Sequence, residues 1–107
     1  MIISTSETVV GHRITKTIGL VRGNTIRARH IGRDIKALGR NIVGGGISEY
    51  TKLLAEAREQ ALDRMIEEAN ELGANAVVTT RFATSMVASG AAELLAFGTA
   101  VVVEPDN

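Results

Sequence analysis

The stretch SEYTKLLAEAREQALDRMIEEANELG, residues 48–73, decides the fold. Tyr50, Leu54, Ala57, Ala61, Met65, Ala69 and Leu72 recur in steps of three and four, which places them on one stripe of a helix. Ser48 has the hydroxyl of an N-cap, and Glu49 sits in the first turn, where the helix dipole favours an anion. Gly73 is the expected stop. A helix of this length with a single apolar face needs a sheet to cover.

Strands are expected on both sides of it. Downstream, residues 75–82 are dense in Val77, Val78, Thr79 and Thr80 and read as a strand. Thr84 to Gly90 reads as a connection of small polar residues, with Ser89-Gly90 as its turn. Residues 93–104 read as a long strand through Leu95, Phe97, Val101 and Val103, stopped by Pro105. Gly98 in its middle predicts a bulge or a close backbone approach. Upstream, Ile2 and Ile3 open a short apolar segment. His12 to Val21 is rich in β-branched residues, and Gly23-Asn24 is turn chemistry leading to an extended piece over 25–28. Ile31, Ile35, Leu38 and Ile42 then take helical spacing, interrupted by Gly32 and Gly39 and closed by Gly44-Gly45-Gly46.

The expected fold is α+β: a two-layer sandwich of a mainly antiparallel sheet under one long and one shorter helix. A single domain over residues 1–105 and a loose tail at 106–107 fit a chain of 107 residues. Apolar residues make up 45% of it, yet the aromatic ones are only Tyr50, Phe82 and Phe97. Side chains as small as Ala and Val bury little area each. Burying further surface against copies of itself adds stability by mass action, so a homo-oligomer is expected.

Composition narrows the chemistry. The chain has no Cys, which excludes disulfides and thiolate sites. No basic run precedes an apolar stretch at the N-terminus, and residues 94–103 fall short of the roughly 20 a membrane helix needs. A cytoplasmic protein without membrane contact is expected. Net charge is zero, but it is divided. Arg22, Arg27, Arg29, Arg33, Lys36 and Arg40 face one acid, Asp34. Between Glu49 and Glu71, seven acids outnumber Lys52, Arg58 and Arg64. Such a division ordinarily means solvated faces or basic-to-acidic contact between subunits. Nucleic-acid binding finds no interleaved aromatics in the basic stretch.

The chain is similar to the YbjQ-like proteins, often labelled "putative heavy-metal-binding". The segments that carry the likeness are Ile3-Ser4-Thr5-Ser6, Gly19-Leu20-Val21-Arg22-Gly23, and Gly44-Gly45-Gly46-Ile47-Ser48-Glu49-Tyr50 running on to Ala57-Arg58. Gly73-Ala74-Asn75-Ala76-Val77-Val78 and Glu93-Leu94-Leu95-Ala96-Phe97-Gly98-Thr99 follow in order. The resemblance implies a homopentameric ring, a family without an agreed activity, and no catalytic residue to carry over.

The label meets poor donors. A soft metal wants thiolate, thioether or imidazole, and the chain offers His12, His30, Met65 and Met86 besides Met1. Two imidazoles do not close a tetrahedral site, so no metal ligand and no cofactor are assigned. The best local candidate is an anion site at a subunit boundary. In it, bare N–H groups of Gly44, Gly45 and Gly46 lie before a helix start, with Arg40 and Arg58 supplying charge. It lacks the Lys-Ser/Thr ending of a P-loop, and a plain turn between helices is the simpler explanation of the run. Enzyme chemistry is not expected: Ser85 and Ser89 have no nucleophile elbow, and only Glu93 with a His remains as a general-base pair. Asn75 reads as a turn residue.

Overall fold

The computed structural model describes residues 1–26, 46–88 and 91–107. Its elements are β1 (Ile2–Ile3), β2 (His12–Ile26), α1 (Gly46–Glu71), β3 (Ala76–Ala88) and β4 (Ala91–Pro105). One sheet takes the order β1-β3-β4-β2. β1 runs parallel to β3, and the other two pairings are antiparallel. The α+β class, the mainly antiparallel sheet and the long helix agree with the sequence. The expected shorter helix over 31–42 lies outside the described residues.

Helix α1 forms where the stripe predicted it and buries Ala57, Ala61, Met65 and Ala69 completely. It begins at Gly46, two residues before Ser48, so Ser48 is inside the helix and not its cap. Leu72 falls outside the stripe, half exposed in the turn after Glu71. Gly73 adopts φ +86°, a left-handed conformation suited to a chain leaving a helix. Beneath the helix lie Val21, Val77, Ala96 and Ala100. Met65 is the largest of the fully buried side chains among the described residues, and its burial stabilises by about 1.5–3 kcal/mol.

The turn expected at Gly23-Asn24 does not form. β2 passes straight through both residues and pairs with β4 from His12↔Pro105 to Ile26↔Glu93. Gly23 is there for a different reason. A Cβ at that position would collide with the Ala61 carbonyl, the Met65 amide and Arg64 Cβ, so only glycine lets the helix backbone lie on the strand. Gly98 likewise meets the expectation of a close approach: an added Cβ would lie 2.7 Å from Val77 Cγ1 and 3.0 Å from Val78 O. The register breaks opposite it, between Val78 and Arg81, and Thr79 there takes φ +53°.

β3 is longer than its apolar run suggested. It continues to Ala88, so Thr84 and Ser85 belong to a strand and not to a connection. On the sheet face away from α1, Ala76, Val78, Val101 and Val103 form a second small cluster, covered by Ile2 and Val9. The segment after β1 is held on β3 by Ser4 N to Val77 O, Thr79 N to Ser6 O and Thr80 N to Ser4 O, at 2.9–3.0 Å. Asp106 N donates to Gly11 O at 2.8 Å, one bond past Pro105. The whole is elongated, 58 × 25 × 18 Å, with a radius of gyration of 17.2 Å. A compact chain of this length would have about 13 Å.

Candidate functional site

Of the residues expected to hold an anion, Arg40, Gly44 and Gly45 lie outside the described residues. Gly46 opens α1, as a glycine at the positive end of a helix dipole should. Arg58 is exposed on the same helix. At 1.5 Å per residue it stands about 18 Å along the axis from Gly46, beyond the reach of one arginine side chain. Within one chain the two do not meet. An anion held by both needs Arg58 from a neighbouring subunit, as a site at a subunit boundary would provide.

The general-base pair is also pulled apart. Glu93 is half-buried near the start of β4 and accepts a hydrogen bond from Asn24 Nδ2 at 3.4 Å. His12 pairs with Pro105 near the other end of the same strand, about 40 Å away at 3.3 Å per residue. Its Nδ1 lies 3.4 Å from Val10 O. His30 is outside the described residues. Met65 is sealed in the core.

What the register does assemble lies on the sheet face turned away from α1. Arg22, Phe97 and Arg81 stand side by side on β2, β4 and β3. The next rows are Leu20–Thr99–Val78 and Asn24–Leu95–Ala83. Leu20 is 62% exposed, and Phe97 and Leu95 are half-buried. Arg81 is anchored, its Nη1 donating to Thr5 O and Thr80 O at 2.8 Å each. The result is an apolar strip floored by Phe97 and flanked by two guanidinium groups.

The outer face of α1 has the opposite character. Glu56, Glu59, Asp63 and Glu67 are all exposed and follow one another in steps of three and four, with Lys52 one turn earlier. Lys52, Ala55, Glu56, Glu59 and Gln60 line a shallow open depression there. Among the described residues the single ion pair is Arg13–Glu104 at 2.9 Å, on neither of these faces.

Sequence reasoning singled out Arg22 as part of a basic stretch and missed Arg81, because only the pairing of β3 and β2 with β4 brings the two together. The acidic excess between residues 49 and 71 was visible. Its concentration on the outward stripe follows from the buried stripe opposite.

The model of a family described as "Putative heavy-metal-binding" matches residues 1–104. A Methanosarcina acetivorans protein named UPF0145 is 56% identical over 103 residues, spanning 96% of this chain and 97% of that protein. A UPF0145 protein of Dehalococcoides mccartyi is 58% identical over 104 residues, 97% of this chain and 100% of that protein. One from Thermococcus kodakarensis is 57% identical over 107 residues, 100% of this chain and 95% of that protein. Among solved structures, a Pediococcus pentosaceus protein of unknown function from the DUF74 family matches with a TM-score of 0.51 and 16% identity. The match covers 99% of this chain and 98% of that one, and it supports the fold.

The description's metal does not fit the donors in view. Among the described residues no three of His, Cys, Asp and Glu gather as a metal would require. A carboxylate stripe on an exposed helix offers hard oxygens spread along an axis, whereas a soft ion needs converging sulfur or imidazole nitrogen.

Proposed function

The chain belongs to the YbjQ-like family described as "Putative heavy-metal-binding", and from that membership we propose that it is a subunit of a homo-oligomeric ring. By resemblance the ring has five copies. It works in the cytoplasm as a binding or scaffold assembly, without chemistry of its own. The observation that carries this reading is the apolar strip of Leu20, Leu95 and Phe97 on a sheet face that no helix covers among the described residues. A contiguous apolar strip with a polar rim marks an interaction surface.

Native mass spectrometry of the purified protein, with neither metal nor chelator added, tests the reading. A ring of identical chains is the expected result. A monomer at micromolar concentration would overturn it.

A second reading is favoured by the glycines that lead into α1. In it a small anion is held at each subunit boundary by Gly44, Gly45, Gly46 and Arg40, with Arg58 arriving from the next copy. Phosphate should then raise the melting temperature of the wild type, and Arg40→Ala with Arg58→Ala should abolish that gain. An unchanged gain excludes this site.

A further inference from the structure

The geometry points to one contact between copies: the bare sheet face of one chain packs on the acidic outer face of α1 of the next. This inference rests on the oligomeric reading above and names the two surfaces that the contact uses.

Among the described residues the sheet face has cover only at one end. Ile2 and Val9 close over Ala76, Val78, Val101 and Val103. Where that cover stops, Leu20, Phe97 and Leu95 continue the apolar strip with nothing packed over them among the described residues. Arg22 stands at its rim, exposed and without an ion pair among the described residues. Arg81 stands on the opposite flank, its guanidinium held in place by two backbone carbonyls.

The helix face complements it in charge. Glu56, Glu59, Asp63 and Glu67 follow at three- and four-residue steps, so neighbouring carboxylates repel one another. A guanidinium group docked among them relieves that repulsion. The depression lined by Ala55, Glu56 and Glu59 gives a protruding side chain such as Leu20 a place to sit.

Charge also selects between the possible pairings. Sheet face against sheet face would set Arg22 and Arg81 of one copy against those of another. Helix against helix would oppose two acidic stripes. Only the mixed contact joins unlike charges. Because it uses two different surfaces on opposite sides of the protomer, it is heterologous, and repetition closes a ring of any number or runs on as a filament.

The test uses Arg22→Glu and Asp63→Lys in the full chain, followed by native mass spectrometry. Both side chains are exposed, and circular dichroism confirms that each variant folds. Each change alone should raise the dissociation constant of the assembly by about a hundredfold, since like charges then face each other. The double variant Arg22→Glu with Asp63→Lys in one chain should associate again, because unlike charges then face each other at every contact whatever the number of copies. Wild-type assembly in either single variant, or no association of the double variant, overturns this contact and leaves the ring standing. A wild-type monomer overturns both. In that case maleimide labelling of Leu20→Cys, in a chain with no other cysteine, locates the cover: protection assigns it to residues 27–45 of the same chain, and free reaction shows that the face has none.

Discussion

Asn75 and Val103 are joined by two hydrogen bonds, Asn75 Nδ2 donating to Val103 O at 2.9 Å and Val103 N donating to Asn75 Oδ1 at 2.8 Å. The side-chain amide imitates a strand. It satisfies both backbone groups of a β4 residue at the point where β3 has not yet begun. Asn75→Ala leaves both of those groups without their partner at once and should cost about 1–3 kcal/mol. Asn75→Asp keeps an acceptor and loses the donor, so it should fall between the two. Urea unfolding of the three proteins gives the order, and an alanine variant as stable as the wild type would show that water replaces the amide.

Gly23 and Gly98 both allow close contact, but against different neighbours. At Gly23 a methyl group meets the helix backbone at Ala61 and Met65, which cannot shift without moving α1. At Gly98 the nearest atom is a Val77 methyl, and the first backbone atom, Val78 O, stands farther off at 3.0 Å. Overpacking costs about 1–3 kcal/mol, occasionally more. Gly23→Ala should therefore reach or exceed the top of that range, and Gly98→Ala should stay within it. Thermal unfolding of the two variants compares them directly; equal melting temperatures would contradict the backbone argument.

The same glycine explains what the sequence did and did not reveal. Gly23-Asn24 has the local chemistry of a turn, and nothing nearby in the chain says that a helix forty residues later needs that spot free of a Cβ. The helix itself was legible because Ala57, Ala61, Met65 and Ala69 repeat at its own period, and the strand around Val101 because Pro105 ends it. Thr84 and Ser85 looked like a loop since their side chains face solvent, which a strand end also permits. The row Arg22–Phe97–Arg81 was illegible for a different reason. It depends on the registers of two strand pairs, one of them broken by a bulge opposite Gly98, and register is a tertiary property. The glycine run with Arg40 could be named from sequence, yet residues 27–45 lie outside the described structure, so the charge partner for Gly46 is a question for the phosphate experiment.

Arg13 and Glu104 form an ion pair at 2.9 Å across β2 and β4, but their side chains are 57% and 54% exposed. Water and salt screen such a pair, so Arg13→Ala should cost no more than about 1 kcal/mol. Its effect should shrink further at high ionic strength. Urea titrations at low and high sodium chloride check this, and a larger, salt-independent loss would mean that the Arg13 stem contributes packing.

Thr79 carries a β-branched side chain at φ +53°, a region such residues rarely adopt. It is held there by its backbone N–H, which donates to Ser6 O at 2.9 Å, and by the bulge that lets Val78 and Arg81 keep their partners on β4. Strain of this kind typically costs about 1–3 kcal/mol. Thr79→Gly removes it, at the expense of a more flexible unfolded chain, for a net gain of about 0.5–1 kcal/mol. The melting temperature should rise by several degrees in a domain of this size. Thr79→Val keeps the branching and the strain and should show no such rise. If valine stabilises as much as glycine, the gain comes from losing the hydroxyl and not from the backbone.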